Sequence, residues 1–337
     1  MRTLKQYFQI IVSVVLLIII INWIDINQVI VAFHNVNYWF LILALIIFTL
    51  DRMLMACKWN LLLRVKDIKI SVYETIRIYY IANFMGLVLP ATVGTDIVKT
   101  HLLVKKNVSA ADVIASILLE RFLGFLGLFV YGSVAVFLFV GMFNGLHINF
   151  DKIILAFSIL TVLGMSGFLL SFNEKAIHCM ISGLASVQKK KFWHKFSAKI
   201  QKLILSYQSY KNEKFILLVF FLLTLVEIFA GILINFLIAL ALNLQVPLSY
   251  FIAYIPIMMV IVRLPISFSG LGIIEGGTIY FLGLVGVSQA VAFSVGIMND
   301  LLILVGLIPG SICYAFNRSE TKIATAELAE EKILVEG

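Results

Sequence analysis

Pro265-Ile-Ser-Phe-Ser-Gly-Leu-Gly272, followed by Glu275-Gly-Gly277, interrupts a long hydrophobic run in the last third of the chain. In a bilayer every backbone amide must be paired inside the protein, so such an interruption persists only beside other helices or a water-filled cavity. The next run contains Asn299-Asp300, and ionisable groups at membrane depth are costly and usually functional. The stretch therefore predicts a broken helix that lines a polar path.

The composition of the chain is typical of a protein embedded in a lipid bilayer. Of the 337 residues, 62% are apolar and 13% are charged, and the mean hydropathy is +1.05. Soluble domains have about half apolar and about a quarter charged residues. The first hydrophobic run follows Arg2 and Lys5 like a signal peptide, but no small-x-small cleavage site follows, so we interpret it as a retained span. We predict an all-α polytopic membrane protein.

Hydrophobic runs predict about six full membrane spans, if about 20 apolar residues make one crossing. The runs are residues 8–24, 38–56, 109–140, 151–172, 215–242 and 288–316. Lysine and arginine concentrate on one side of these runs, as the positive-inside rule requires of cytoplasmic loops. We therefore expect cytoplasmic termini, one transmembrane domain over residues 1–317 and a cytoplasmic tail over residues 318–337. The expected location is the cytoplasmic (inner) membrane of a prokaryote.

Two further apolar segments, residues 72–106 and 249–286, are broken in the middle. The first breaks at Pro90-Ala-Thr-Val-Gly94 and has basic residues at both ends, whereas the ends of the second carry no charge. We therefore predict two re-entrant hairpins that enter the membrane from opposite sides. The residues that mark the breaks are Pro90, Gly94, Pro265 and Ser267.

The two halves of the chain share a weak internal similarity. Residues 108–128 align with residues 287–307 at a constant offset of 179, and the identities include Gly127/Gly306. Together with the two hairpins, this alignment predicts an inverted repeat, the architecture in which secondary transporters bind substrate near the membrane midplane. The alignment also predicts that Arg121 and Asp300 face each other across the repeat axis. The alternative is an ion pair that only fixes helix packing.

The long polar segment 173–214 carries nine lysines and two acids. From Phe192 to Tyr210, apolar residues recur every three or four positions beside lysines, which is the pattern of an amphipathic helix on an anionic membrane surface. The alternative is a cytosolic helix that packs on the protein itself. No base-reading motif accompanies the charge, so no nucleic-acid partner is predicted.

Ionisable residues at membrane depth supply the candidate binding groups. Arg121, Arg263 and Lys99 suit a lipid phosphate, because their side chains form charge-assisted hydrogen bonds to phosphate oxygens. Gly270 and Gly272 permit tight backbone turns at the break, and the helix N-termini behind both breaks add free amides for the same anion. The acids expected to compensate these cations, or to carry protons in coupled transport, are Glu120, Asp300, Glu275, Glu227 and Asp96.

Other polar residues receive structural interpretations. Asp51-Arg52 and Lys58-Trp59 lie near the predicted cytoplasmic end of the second span and are interpreted as interfacial anchors. The three cysteines and five histidines are scattered without ligand spacing, so no metal site is predicted. No nucleotide-binding fingerprint is found, and no cofactor is expected.

Several blocks of the chain resemble one known family. The segment from Leu264 to Gly277 is similar to the signature of the lysylphosphatidylglycerol synthase transmembrane-region family, which is roughly Pro-x-Ser-x-Gly-Gly-x-Gly-x-x-Glu. The segments Leu89 to Asp96 and Glu120 to Gly124, together with Lys58-Trp59, are similar to its other blocks. Ser269 stands where the family more often has glycine.

This resemblance implies a lipid flippase fold like the membrane half of multiple peptide resistance factor, which moves aminoacylated phosphatidylglycerol between leaflets. We expect a flippase, not an enzyme, that moves an anionic phospholipid or a polyprenyl-phosphate-linked lipid through a polar groove between the hairpins. The alternatives are an integral-membrane enzyme and an accessory subunit of lipid or glycolipid biosynthesis without transport. Expected partners are membrane lipids, with glycosyltransferases, lipid-synthesis enzymes and a second copy of the chain as further candidates.

Overall fold

The computed structural model describes residues 2–88, 93–142, 150–173, 191–263, 267 and 270–316, and these residues form helices and turns without a strand. A short 3-10 helix, Ser209–Asn212, separates the eighth and ninth α-helices. The α-helices are α1 (Arg2–Trp23), α2 (Ile26–His34), α3 (Tyr38–Val65), α4 (Val72–Val88), α5 (Val93–Val104), α6 (Ala110–Met142), α7 (Phe150–Ser171), α8 (Lys191–Gln208), α9 (Lys214–Ala241), α10 (Leu248–Val262), α11 (Ile273–Gly283), α12 (Gln289–Gly306) and α13 (Ile308–Phe316). The prediction of an all-α chain is confirmed.

Several of these helices have the length and apolarity of membrane spans. Within the described parts of the chain, four segments are long and apolar enough to cross a bilayer: α3, Ala110–Leu138 of α6, α9, and Gln289–Phe316, which joins α12 to α13. The apolar parts of α1 and α2 form a pair bent by 87°, and α10 and α11 are apolar but shorter. The chain is therefore a multi-pass membrane protein. The number of full crossings stays a prediction.

Each segment predicted as a hairpin contains two helices that pack on each other. These are α4 with α5 and α10 with α11. Gly86 permits the first contact, because a Cβ atom at this position would overlap the side chain of Thr95. Gly94 is buried in the first turn of α5, and Ser267 is also buried. Pro90 and Pro265 lie outside the described residues.

The helix contacts occur in reciprocal pairs. α4 packs on α13, as α10 packs on α6, and α5 packs on α6, as α11 packs on α12. In the same way, α3 contacts α4 and α9 contacts α10, while α3 and α9 share an extensive contact with each other. Lipid tails are as apolar as these side chains, so such helices associate by close packing. Each arm of one hairpin therefore has a counterpart with equivalent neighbours in the other half of the chain.

The basic segment packs on the protein in the part that is described. The Tyr207 ring stacks on Phe172 with 5.1 Å between ring centroids. Tyr210 is fully buried, and its hydroxyl donates to the backbone oxygen of Leu62 at 3.0 Å. The prediction that this apolar face lies on a membrane surface is wrong for these residues, because the ends of α3 and α7 supply an apolar partner. Burial lowers the pKa of the Lys66 ammonium group beside this segment, and the Asp112 carboxylate opposes that shift.

Candidate functional site

A group of charged residues from both hairpins and three long helices forms what we call the central polar site. Helices α3, α5, α6 and α9 contribute to it, together with the residue that ends α10. The charged members are Asp51, Arg52, Lys58, Asp96, Lys99, Glu120, Arg121, Glu227 and Arg263. Because buried charges are costly, most of these residues are arranged as ion pairs.

Lys58 connects the two long helices α3 and α9. Its side chain is 2% exposed, and the ammonium group pairs with the Glu227 carboxylate and donates to the Thr224 hydroxyl at 2.9 Å. It also lies 4.6 Å from the centroid of the Phe220 ring, a favourable cation–π contact. Helix α3 continues to Val65, so Lys58 lies inside the helix and the interpretation as an interfacial anchor is wrong.

Asp51 and Arg52 form a second pair about two turns earlier on α3. The Asp51 carboxyl is buried, with one oxygen 2.6 Å from an Arg52 guanidinium nitrogen. Arg52 also lies 4.9 Å from the centroid of the Phe48 ring. These two residues are therefore packed inside the protein, and their interpretation as interfacial anchors is also wrong.

Lys99 and Glu120 join the first hairpin to α6. The buried Lys99 ammonium group lies 3.2 Å from a Glu120 carboxylate oxygen and 3.9 Å from the centroid of the Tyr79 ring. The Tyr79 hydroxyl donates to the other Glu120 oxygen at 3.2 Å. Trp59 is fully buried beside them and donates from its ring nitrogen to Ser116 at 3.0 Å. The pair is thus enclosed by aromatic rings and has little contact with the surface.

Arg121 binds the first turn of α5 and is more accessible. Its Nε donates to an Asp96 carboxylate oxygen at 2.6 Å, and its side chain is 36% exposed. The hypothesis that Arg121 faces Asp300 is wrong, because the first hairpin supplies the carboxylate through Asp96. Among the described residues, the carboxylate that pairs with Arg121 therefore comes from its own half of the chain.

Arg263 differs from the other cations of the central polar site. It ends α10 and is exposed, and its guanidinium lies 5.0 Å from the centroid of the Phe125 ring. Among the described residues, no carboxylate lies within 4.0 Å of it, and the charged residues that act on it from a greater distance include Glu227 and Arg121. Arg121 and Phe125 are one turn apart on α6 and share a face. The guanidinium groups of Arg121 and Arg263 therefore lie on one side of α6. Of these two, only that of Arg121 is paired with a carboxylate in the described part of the chain.

Other predicted site residues form a separate place at the start of α11, which we call the α11 cap. Glu275 is fully buried, and one of its oxygens accepts from the Gly272 backbone N–H at 2.6 Å. The other oxygen has no hydrogen-bond donor among the described residues. Asp300 of α12 faces the Glu275 carboxyl, and Gly296, one turn earlier on α12, packs against the Glu275 side chain.

Glycine is required at the break before α11. Gly270 and Gly272 have φ angles of +84° and +82°, a region that side chains rarely adopt. A Cβ at Gly272 would lie 2.7 Å from the Cβ of Leu16, so α1 rests directly on this turn. The two glycines therefore shape the turn, and the N–H of Gly272 is used by Glu275 and not left open for an anion.

The sequence-predicted residues thus divide between two places. Arg121, Arg263, Lys99, Glu120, Glu227 and Asp96 belong to the central polar site, whereas Gly270, Gly272, Glu275 and Asp300 belong to the α11 cap. Sequence reasoning missed Lys58, Tyr79 and Phe125 as parts of the site. The sequence feature that could have placed Lys58 inside a helix is the apolar Leu61-Leu62-Leu63 after it, which indicates that the helix continues past the lysine. In the described parts of the chain, no three His, Cys, Asp or Glu side chains are grouped to hold a metal ion.

The fold and the central polar site define a multi-pass helical membrane protein with a positively charged polar site. The family model for the lysylphosphatidylglycerol synthase TM region matches residues 8–310, so the chain belongs to this family. It is also similar to UPF0104 membrane protein PH1989 of Pyrococcus horikoshii, with 27% identity over 205 residues. That alignment covers 59% of this chain and 60% of the relative.

Proposed function

We propose that this protein is a flippase that moves an anionic phospholipid or a polyprenyl-phosphate-linked lipid between the two leaflets of the membrane. The observation that carries the proposal is the exposed Arg263 guanidinium, which has no carboxylate within 4.0 Å among the described residues. A phosphate placed there would receive charge-assisted hydrogen bonds from Arg263 and from Arg121, which lies one turn from Phe125 on the same face of α6. The membership in the family supports a membrane-integral role of this kind.

The surroundings of the two arginines suit a headgroup that arrives and leaves. Asp96 holds Arg121 when no anion is bound, so the guanidinium does not stay uncompensated at membrane depth. Phe125 supports Arg263 through its ring and does not neutralise it. The headgroup would pass between α5 of the first hairpin and the end of α10, while its tails remain in the bilayer.

The inverted repeat belongs to the same proposal. The reciprocal contacts of the hairpin arms, with α4 on α13 and α10 on α6, suit two halves related by a pseudo-twofold axis. The aligned glycines also have equivalent surroundings, since Gly127 packs on α9 and Gly306 packs on α3. In transporters built this way, one half rocks against the other around a central site. Such rocking would expose the arginines to each leaflet in turn.

The proposal is tested by reconstituting the purified full chain into vesicles. Exchange between leaflets is measured for fluorescent phosphatidylglycerol and for a fluorescent polyprenyl phosphate, with fluorescent phosphatidylcholine as the zwitterionic comparison. We expect the protein to accelerate the exchange of at least one anionic lipid over protein-free vesicles, and to accelerate phosphatidylcholine less. Exchange rates equal to those of protein-free vesicles for every lipid would reject the proposal.

A further inference from the structure

A cavity of about 230 Å³ lies at the base of the first hairpin, away from the central polar site. It opens between the first turns of α4 and the end of α5. Among the residues that the structure describes, its lining is formed by Glu74, Arg77, Ile78, Ile81, Leu102, Lys105 and Lys106. We call it the hairpin-base cavity.

The charged part of the lining is predominantly basic. Arg77 and Lys106 approach the same oxygen of Glu74, at 2.9 Å and 2.5 Å. Lys105 adds a third cation, so the described lining carries three cations and one carboxylate. One Glu74 oxygen thus lies between the Arg77 and Lys106 cations, as an oxygen of a bound phosphate would.

The other part of the lining is apolar. Ile78, Ile81 and Leu102 are at most 5% exposed and belong to the core between α3, α4 and α5. Inorganic phosphate has no apolar part that could contact these side chains. The glycerol and first acyl carbons of a lipid, in contrast, would pack on them. Ligand sites usually have volumes of about 300–1,000 Å³, so this cavity suits one headgroup with its tails outside.

Different residues of the first hairpin line the hairpin-base cavity and the central polar site. On α4, Glu74, Arg77, Ile78 and Ile81 follow helical spacing on one face, while Tyr79 contacts the central polar site from another face. On α5, Asp96 and Lys99 reach the central polar site near the break, and Lys105 and Lys106 follow the last helical residue at the base. An anion in the cavity would therefore not occupy Arg121 or Arg263.

We infer that the hairpin-base cavity binds the phosphate of an anionic phospholipid as a resident ligand, separate from the lipid that the protein is proposed to move. Arg77, Lys105 and Lys106 hold the phosphate oxygens, and Ile78, Ile81 and Leu102 contact the adjoining apolar part of the lipid. Basic pockets between membrane helices bind anionic headgroups in this manner. The bound lipid ties the N-terminal end of α4 to the C-terminal end of α5.

The first test measures the thermal unfolding of the full chain in a neutral detergent. Added phosphatidylglycerol is expected to raise the unfolding temperature, and phosphatidylcholine and inorganic phosphate are expected to raise it less. The double variant Lys105→Gln/Lys106→Gln is expected to bind phosphatidylglycerol about 25-fold more weakly, since each cation near a headgroup contributes about fivefold. The matched control is Arg64→Gln/Lys69→Gln, which removes two exposed cations outside the cavity and is expected to keep the full shift.

Two further variants separate lipid binding in the cavity from a purely structural ion pair and from binding at the central polar site. Glu74→Gln releases Arg77 and Lys106 from their carboxylate, so we expect tighter phosphatidylglycerol binding, a gain that a purely structural ion pair would not produce. Adding Lys105→Gln/Lys106→Gln to an Arg263→Gln background is expected to weaken phosphatidylglycerol binding by the same factor as in the wild type, because Arg263 lies outside the cavity.

Four results would overturn the inference. An equal shift with phosphatidylcholine would exclude headgroup recognition, and an equal shift with inorganic phosphate would assign the cavity to a free anion. A full shift in Lys105→Gln/Lys106→Gln would show that these lysines only complement the end of α5. If Lys105→Gln/Lys106→Gln causes no further loss of binding in the Arg263→Gln background, the lipid lies in the central polar site.

Discussion

Lys58 and Arg263 are both cations of the central polar site, but their contacts give them different roles. Lys58 is 2% exposed and has a carboxylate, a hydroxyl and a ring around its ammonium group. Arg263 is exposed and lies beside the Phe125 ring, with no carboxylate within 4.0 Å among the described residues. An ammonium group with all its partners in place fixes helix packing, whereas an exposed guanidinium without a carboxylate is available to a ligand.

The structural role of Lys58 is tested by a double-mutant cycle with Glu227. Lys58→Met leaves the Glu227 carboxylate uncompensated, so we expect the free energy of unfolding in detergent to fall by about 3 kcal/mol. Lys58→Met/Glu227→Met removes both charges and is expected to cost less than Lys58→Met alone. A double variant that is destabilised by the sum of the two single changes would show that the ion pair does not couple α3 to α9.

At the scale of helices, close packing at glycine fixes how α6 and α12 meet the central helices. A Cβ at Gly127 would lie 3.0 Å from the Thr224 side chain of α9, and a Cβ at Gly306 would overlap the Phe48 ring of α3. In contrast, a Cβ at Gly124 would have no atom within 4 Å. The aligned glycines therefore occupy tight helix contacts, and Gly124 is a matched position in open space.

Gly306→Ala is expected to destabilise the protein by about 1–3 kcal/mol, because the added methyl group forces Phe48 and α3 to move. Gly124→Ala is expected to be neutral or slightly stabilising, since alanine favours the helix by up to about 1 kcal/mol over glycine. Both variants are compared by thermal unfolding in the same detergent. Equal unfolding temperatures for the two would contradict a tight contact between α12 and α3.

For the whole molecule, the sequence predicts where the helices lie along the chain better than it predicts which of their side chains contact each other. The breaks near Pro90 and Pro265 were readable, because proline and glycine are unusual at membrane depth, and helices flank both. The pairing of Arg121 was not readable, because an alignment of two halves does not give the rotation of each helix, and Asp96 on the neighbouring hairpin is its partner. The packed face of α8 was missed for a similar reason, since an amphipathic pattern does not say whether lipid or protein covers it.

The location of Lys58 is a second example of a contact between helices that the sequence does not predict. A span of about 20 residues ends near residue 56, and the charge at Lys58 then looks like an interfacial anchor. Helix α3 instead continues to Val65, and Glu227 on α9, far away in sequence, supplies the counter-ion. Charge pairs between distant helices depend on tertiary packing, which local hydropathy does not contain.

The most direct measurement compares leaflet exchange of the preferred anionic lipid in vesicles that contain the wild type, Arg263→Gln or Arg64→Gln at equal protein density. Arg263→Gln removes charge-assisted hydrogen bonds to the headgroup, so we predict exchange about 10-fold slower or more. Arg64→Gln removes an exposed cation outside the central polar site and should exchange lipid at the wild-type rate. If Arg263→Gln, correctly folded by its unfolding temperature, exchanges lipid as fast as the wild type, the central polar site is not the lipid path.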